Sequence, residues 1–237
     1  MEKTTTRLAI PILWYDFSVS GKRTYGDRCG VARALDVVGE RWSLLVVREL
    51  LFGPKRFTDL RAGLPHISPD VLSQRLRDLE QAGVVRRGTL PPPAASQVYE
   101  LTDRGRALEP VVIELGRWGS TAPFPAEDAV FGVDAVVVAL KSLFAPARAA
   151  GLDASYELRL QSQRFTARVT DGRFELSRGP APDPDASIDT DPVTLGALLW
   201  HGRDLDEARR SGDIAVHGNG AKIRRFLGLF ELPPADV

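Results

Sequence analysis

The 237-residue chain contains one cysteine, Cys29, one methionine and three histidines. A single cysteine excludes an internal disulfide framework and points to a reducing compartment. His66, His201 and His217 are scattered, with no cysteine or paired carboxylate at metal-ligand spacing. No metal centre and no cofactor is therefore expected. Asp204-Leu-Asp206-Glu207 reads as acidic compensation at a helix start. Gly218-Asn-Gly220 lacks the Lys-Ser/Thr that would follow in a phosphate loop. None of these features predicts an enzyme. Long apolar runs are missing too, and none approaches the roughly 18 residues of a membrane span. Residues 8–19 are apolar but broken by Pro11, Asp16 and Ser18. They lack a small-residue cleavage site, which argues against a signal peptide. The expectation is a cytoplasmic protein that does not engage a membrane.

The composition is that of a globular protein, 43% hydrophobic and 26% charged. Net charge is zero, with 31 basic and 31 acidic side chains. The zero conceals an asymmetry. Residues 21–120 hold 16 Lys/Arg against 12 Asp/Glu, and residues 121–237 hold 13 against 17. A basic front half and an acidic back half are expected when only the front meets phosphate.

Periodicity divides the chain into two domains. Residues 31–38 read as a short helix, and residues 41–52 as a buried helix stopped by Gly53-Pro54. Residues 57–62 make one or two helical turns. Ser68-Pro69-Asp70 opens the next helix with a good N-cap, a proline at the first position and an acid at the positive end. Residues 84–87 and 97–101 are strand candidates around a proline-rich tip at Pro91-Pro92-Pro93. Thr102 caps a further helix, expected to run towards Trp118 with a kink at Pro110. Residues 121–128, with Pro123 and Pro125, form the expected linker. The back half, 129–237, starts with a helix over 129–143. Strands are expected at 156–160, 165–169, 173–176, 186–190 and 214–217, and helices at 193–200, 205–210 and 221–230.

Three helices, a strand, a wing, a strand and a helix make a winged helix-turn-helix. At 100° per residue, Leu72, Leu76 and Leu79 fall within about 60° of one another and must face the core. The opposite face presents Asp70, Ser73, Gln74, Arg77 and Gln81. Arg, Gln and Ser are side chains that read base edges in a major groove. Arg75 lies on the flank, where a phosphate would pass. Ser68, Lys55 with Arg56, and Arg86 with Arg87 complete the expected DNA-contact set, mostly on the backbone.

Three separated stretches resemble the HxlR family of bacterial regulators. They are the run from Cys29 to Leu60, including Gly39-Glu-Arg-Trp42 and Phe52-Gly-Pro-Lys-Arg-Phe57; Ile67-Ser-Pro-Asp-Val-Leu-Ser-Gln-Arg-Leu-Arg-Asp-Leu-Glu-Gln-Ala-Gly83; and Tyr99-Glu-Leu-Thr-Asp-Arg-Gly105. The resemblance covers about residues 25–120. It implies a homodimer built on the first and last helices of that domain, bound to a palindromic operator in double-stranded DNA. The uncharged Pro-Pro-Pro-Ala-Ala wing tip departs from it and weighs against insertion of the wing into the minor groove. Cys29 falls where some family members carry a reactive cysteine, and it precedes a helix N-terminus, which lowers a thiol pKa. Two readings stand for it: a redox sensor, or an inert thiol at a dimer seam.

Two stretches of the back half resemble the sterol-carrier-protein fold: Ala186-Ser-Ile-Asp-Thr-Asp-Pro-Val-Thr-Leu-Gly-Ala-Leu-Leu-Trp200 and Ser211-Gly-Asp-Ile-Ala-Val-His-Gly-Asn219. That resemblance implies an α/β domain able to enclose an apolar cavity for a hydrophobic small molecule. The lining expected from size and position is Val137, Leu140, Phe144, Phe165, Phe174, Leu195, Leu199, Trp200, Phe226 and Phe230. The fold class is thus α+β. A mostly helical winged helix-turn-helix with a two-stranded wing (25–120) precedes a sterol-carrier-like ligand-binding domain (129–237). Residues 1–24 are either an ordered arm or an extension. The first functional reading is a ligand-responsive transcription factor. The second is a lipid-type carrier or scaffold whose winged helix mediates protein contacts.

Overall fold

The computed structural model describes residues 24–122 and 131–234. The expected arm, apart from Thr24, and most of the expected linker lie outside them.

The first unit is built from α1 (Gly30–Val38), α2 (Ser43–Leu50), α3 (Phe57–Gly63) and α4 (Pro69–Gln81). A hairpin of β1 (Val85–Thr89) and β2 (Gln97–Leu101) follows, then α5 (Asp103–Arg106) and α6 (Glu109–Gly119). Two sequence expectations need correction. The helix expected from residue 41 begins at Ser43, because Trp42 sits at φ 80° in the left-handed region. The single kinked helix expected after Thr102 is two helices. α5 closes at Arg106, and Pro110 lies in the first turn of α6, where its missing N–H costs nothing. The core is aliphatic. Val46, Val47, Leu50, Leu60, Leu72, Leu76 and Leu79 are all at most 2% exposed.

The second unit begins with α7 (Val133–Leu143) and a 3-10 turn at Pro146–Ala149. Strands β3 (Ala154–Leu160), β4 (Gln163–Thr170), β5 (Arg173–Arg178) and β6 (Ala186–Thr190) come next. Helices α8 (Pro192–Trp200) and α9 (Leu205–Arg210), strand β7 (Ile214–Gly218) and α10 (Gly220–Leu227) complete it. The sheet order is β5-β4-β3-β6-β7. β3 and β6 are parallel, and every other pair is antiparallel.

Strand alternation sorts the side chains onto two faces. Tyr156, Leu158, Leu160, Phe165, Ala167, Val169 and Ile188 turn inward against Val136, Val137 and Leu140 of α7, Leu195 of α8 and Phe226 of α10. The other face carries Arg164, Arg168, Arg173, Glu175, Asp189 and His217, all exposed. Helices therefore cover one side of the sheet, as its one-sided hydrophobicity requires.

The side chains expected to line a cavity form the packed centre of this unit. Val137, Leu140, Phe165, Leu195 and Phe226 are fully buried and Phe230 nearly so. Phe144 stacks on Phe174 at 5.2 Å between ring centres, Phe174 meets Phe230 edge-on at 5.3 Å, and Phe230 meets Phe226 at 5.1 Å. Leu199 and Trp200 pack at the margin of the same cluster. The cleft measured beside this cluster, 530 Å³, is lined by other residues apart from Phe174: Lys141, Thr166, Arg168, Glu175, Leu176 and Ser177. Aromatic rings that stack on one another satisfy the same size-and-position rule as rings that line a void, so sequence alone confuses the two.

Candidate nucleic-acid interface

The geometry of α4 follows from its first residue. Ser68 is extended (φ −73°, ψ 152°), and its hydroxyl accepts a hydrogen bond from the Val71 amide at 3.3 Å. Pro69 occupies the first helical position and Asp70 the first turn. The helix stops at Gly83, which takes φ +68°. Burial of Leu72, Leu76 and Leu79 fixes the rotation of the helix. Asp70, Gln74, Arg77 and Gln81 are consequently exposed, and Ser73 is half-exposed.

The outward groups are ordered by one another. Arg77 Nη2 donates to Gln74 Oε1 at 2.7 Å, and Gln74 Nε2 donates to Asp78 Oδ1 at 2.8 Å. Asp78 also holds Arg75 through Nη2 at 3.1 Å. Chained contacts of this kind restrict rotamers before any partner arrives. They leave the remaining guanidinium donors of Arg77 directed outward.

The flanking basic residues divide into two groups. Arg56 is exposed at the N-cap of α3, where its own amide is bonded to Asp59. Arg86 and Arg87 stand on β1 with side chains 60% and 57% exposed. Arg86 pairs with Glu100 at 2.8 Å. Arg87 pairs with Glu80 and lies over the Tyr99 ring. Such exposed pairs are weak and exchange readily for phosphate. Lys55 and Arg75 behave differently. Arg75, only 15% exposed, is held between Glu40 and Asp78. Lys55 is 11% exposed, and its ammonium sits between the carboxylates of Glu49 and Asp134. The expectation that Lys55 contacts phosphate does not fit this placement, because the side chain is committed inside the protein. Sequence reasoning missed its two partners. The available signal was a lone acid within each of two mostly apolar helices.

Two helices leave apolar side chains uncovered. Val31 and Leu35 of α1 and Val111, Leu115 and Trp118 of α6 are between 41% and 74% exposed. Cys29, at the N-cap of α1, is exposed. The free amides of Val31 and Ala32 at that helix end draw its thiol below the ordinary value.

Among the described residues no helix is long and apolar enough to cross a membrane, and no group of three His, Cys, Asp or Glu could hold a metal ion.

Comparison with known proteins matches the first unit. The family described as HxlR-like helix-turn-helix matches residues 37–125. The uncharacterized HTH-type transcriptional regulator YvaP of Bacillus subtilis (strain 168) is 42% identical over 88 residues, 37% of this chain and 82% of its own length. The HTH-type transcriptional regulator YodB of the same organism is 39% identical over 85 residues, 36% of this chain and 76% of its own. The solved structure of reduced YodB aligns with 43% of this chain and all of its own, at 34% identity and a TM-score of 0.36. With its capped α4, polar face outward, followed by a two-stranded wing, the chain belongs to the HxlR-like helix-turn-helix family of transcriptional regulators.

Proposed function

We propose that the protein binds a palindromic operator as a homodimer, reading bases with α4 and responding to a hydrophobic small molecule through its second domain. The observation that carries the DNA-reading part is the α4 face. Three leucines are buried on one side, and Ser73, Gln74 and Arg77 stand on the other. Ser68 and Asp70 mark the helix end nearest the groove, with Arg56, Arg86 and Arg87 on backbone phosphates. Lys55 is omitted from this set, and Arg75 contributes at most its flank.

The uncovered apolar stripes of α1 and α6 support the homodimer. Monomeric proteins rarely leave a tryptophan and four aliphatic side chains exposed on the first and last helices of a domain. Two copies joined there would present two α4 helices to successive major grooves, about one DNA turn apart.

The sterol-carrier-like reading of the second unit is supported by a sheet covered on one side by helices. It requires the Phe144, Phe174, Phe226 and Phe230 cluster to open for an apolar ligand. Native mass spectrometry of purified protein tests for a retained ligand. An operator affinity unchanged under saturating ligand would remove the response from the proposal.

The decisive test of DNA reading is Arg77→Ala. Operator affinity measured by fluorescence anisotropy is expected to fall by about 1–3 kcal/mol, with relaxed preference at one base position. Retention of full specific affinity would overturn the assignment of α4.

A further inference from the structure

The joint between the two units is built from buried charge. Glu49 of α2 and Asp134 of α7 are 1% and 2% exposed, although both are acids. Lys55 lies between them, donating to Glu49 Oε2 at 2.7 Å and to Asp134 Oδ2. Arg48 closes the Glu49 side at 2.8 Å, and Arg178 of β5 closes the Asp134 side at 2.6 Å. Arg178 also donates from Nε to the Phe52 carbonyl at 3.1 Å and lies over the Phe165 ring. Phe52 in turn meets Phe165 edge-on at 6.0 Å. The bare backbone of Gly63 is part of the joint, since a Cβ there would fall on the Glu49 carboxylate.

Lys55 is tied to the reading head by its backbone. Its N–H donates to the Tyr99 carbonyl at 3.0 Å, and its carbonyl accepts from the Tyr99 N–H at 2.8 Å. Tyr99 is the β2 residue paired with Arg87 of β1. Arg56, the next residue, caps α3. Lys55 thus connects α7, and β5 through the Asp134–Arg178 pair, to the wing and to the start of α3.

We propose that Asp134 is a positioning residue for DNA binding: from the second domain it fixes Lys55, and through Lys55 the wing and the start of α3. Buried charges tolerate few arrangements, because any displacement strands a charge away from water. A shift of α7 or β5 must therefore carry Lys55 with it or break the pair. This gives the second domain a mechanical hold on the reading head whether or not it takes a ligand. The proposal rests on the DNA-binding reading above.

The test uses the full chain with Asp134→Asn, and with Arg178→Met as a second variant that keeps an apolar contact on Phe165. Amide hydrogen exchange without DNA should quicken at Lys55 and Tyr99 in both variants, with β3 and β4 unchanged. Operator affinity should fall about tenfold in Asp134→Asn, the middle of the range for coupled networks. Combination with Lys55→Met should add little to that loss, since both changes break one linkage. Unchanged exchange at Lys55 and Tyr99 overturns the proposal, as does quickened exchange with undiminished operator affinity. If the unaltered chain binds no operator specifically, the DNA reading fails, and the exchange data alone then decide whether the linkage exists.

Discussion

The outer face of α4 and the joint between the domains use the same residue types in opposite ways. On α4, Gln74 and Arg77 bond only to near neighbours on their own helix and are exposed. At the joint, Asp134 takes Lys55 and Arg178 from elements far apart in sequence, and Glu49, Lys55 and Asp134 are largely shut off from solvent. The first arrangement is weak and replaceable, so its donors are available to a partner. The second is committed, because losing one member leaves a buried charge. A cation next to the helix-turn-helix motif is therefore no evidence of phosphate contact until its burial is known.

Four substitutions would break or sharpen this contrast. The largest effect is expected for Glu49→Ala. It should cost about 3 kcal/mol in urea unfolding, the lower end for a broken buried pair, because Asp134 still faces Lys55. A loss below about 0.5 kcal/mol would place the joint with ordinary surface ion pairs. Arg77→Ala should do the reverse, leaving stability within about 0.5 kcal/mol while operator affinity falls. Trp118→Glu should shift sedimentation from dimer to monomer at micromolar concentration without lowering the melting temperature of the monomer. An unaltered dimer would exclude the α6 stripe as the interface.

The smallest effect concerns Cys29. Its thiol pKa is depressed, so alkylation should reach half its maximal rate at a lower pH than for an unperturbed cysteine thiol. The sign follows from helix-end amides favouring the thiolate. This contribution to stability is present above the unfolded pKa and fades as pH falls through the folded one. If Cys29→Ser leaves operator release by oxidants unchanged, Cys29 is no sensor.

Much of this was legible in the sequence, and the reasons differ from element to element. α4 was readable because three independent signals agreed: the Ser68 cap, Pro69, and leucines spaced three and four apart. α9 was readable with the acidic run Asp204-Leu-Asp206-Glu207 at its start, and β6 as a strand, though not its parallel pairing with β3. The break between α5 and α6 was not, because Pro110 is compatible with both a kink and a new first turn. The left-handed turn at Trp42 left no local sign, since tryptophan does not favour that conformation. The fate of Lys55 was hidden for a different reason. Its partner Asp134 is 79 residues away, and no periodicity reports such a pairing.

α6 serves two clients at once. Glu109 and Gly116 meet Lys141 and Ser142 of α7, and a Cβ at Gly116 would press on the Ser142 hydroxyl. Val111, Leu115 and Trp118 look the other way. Inserting one residue into this helix would turn everything after it by about 100°, presenting the tryptophan to the fused domain and a bare glycine to solvent. Length variation in relatives carrying such a fusion should therefore collect in the wing tip and the connector, while the count of residues between Glu109 and Trp118 stays constant.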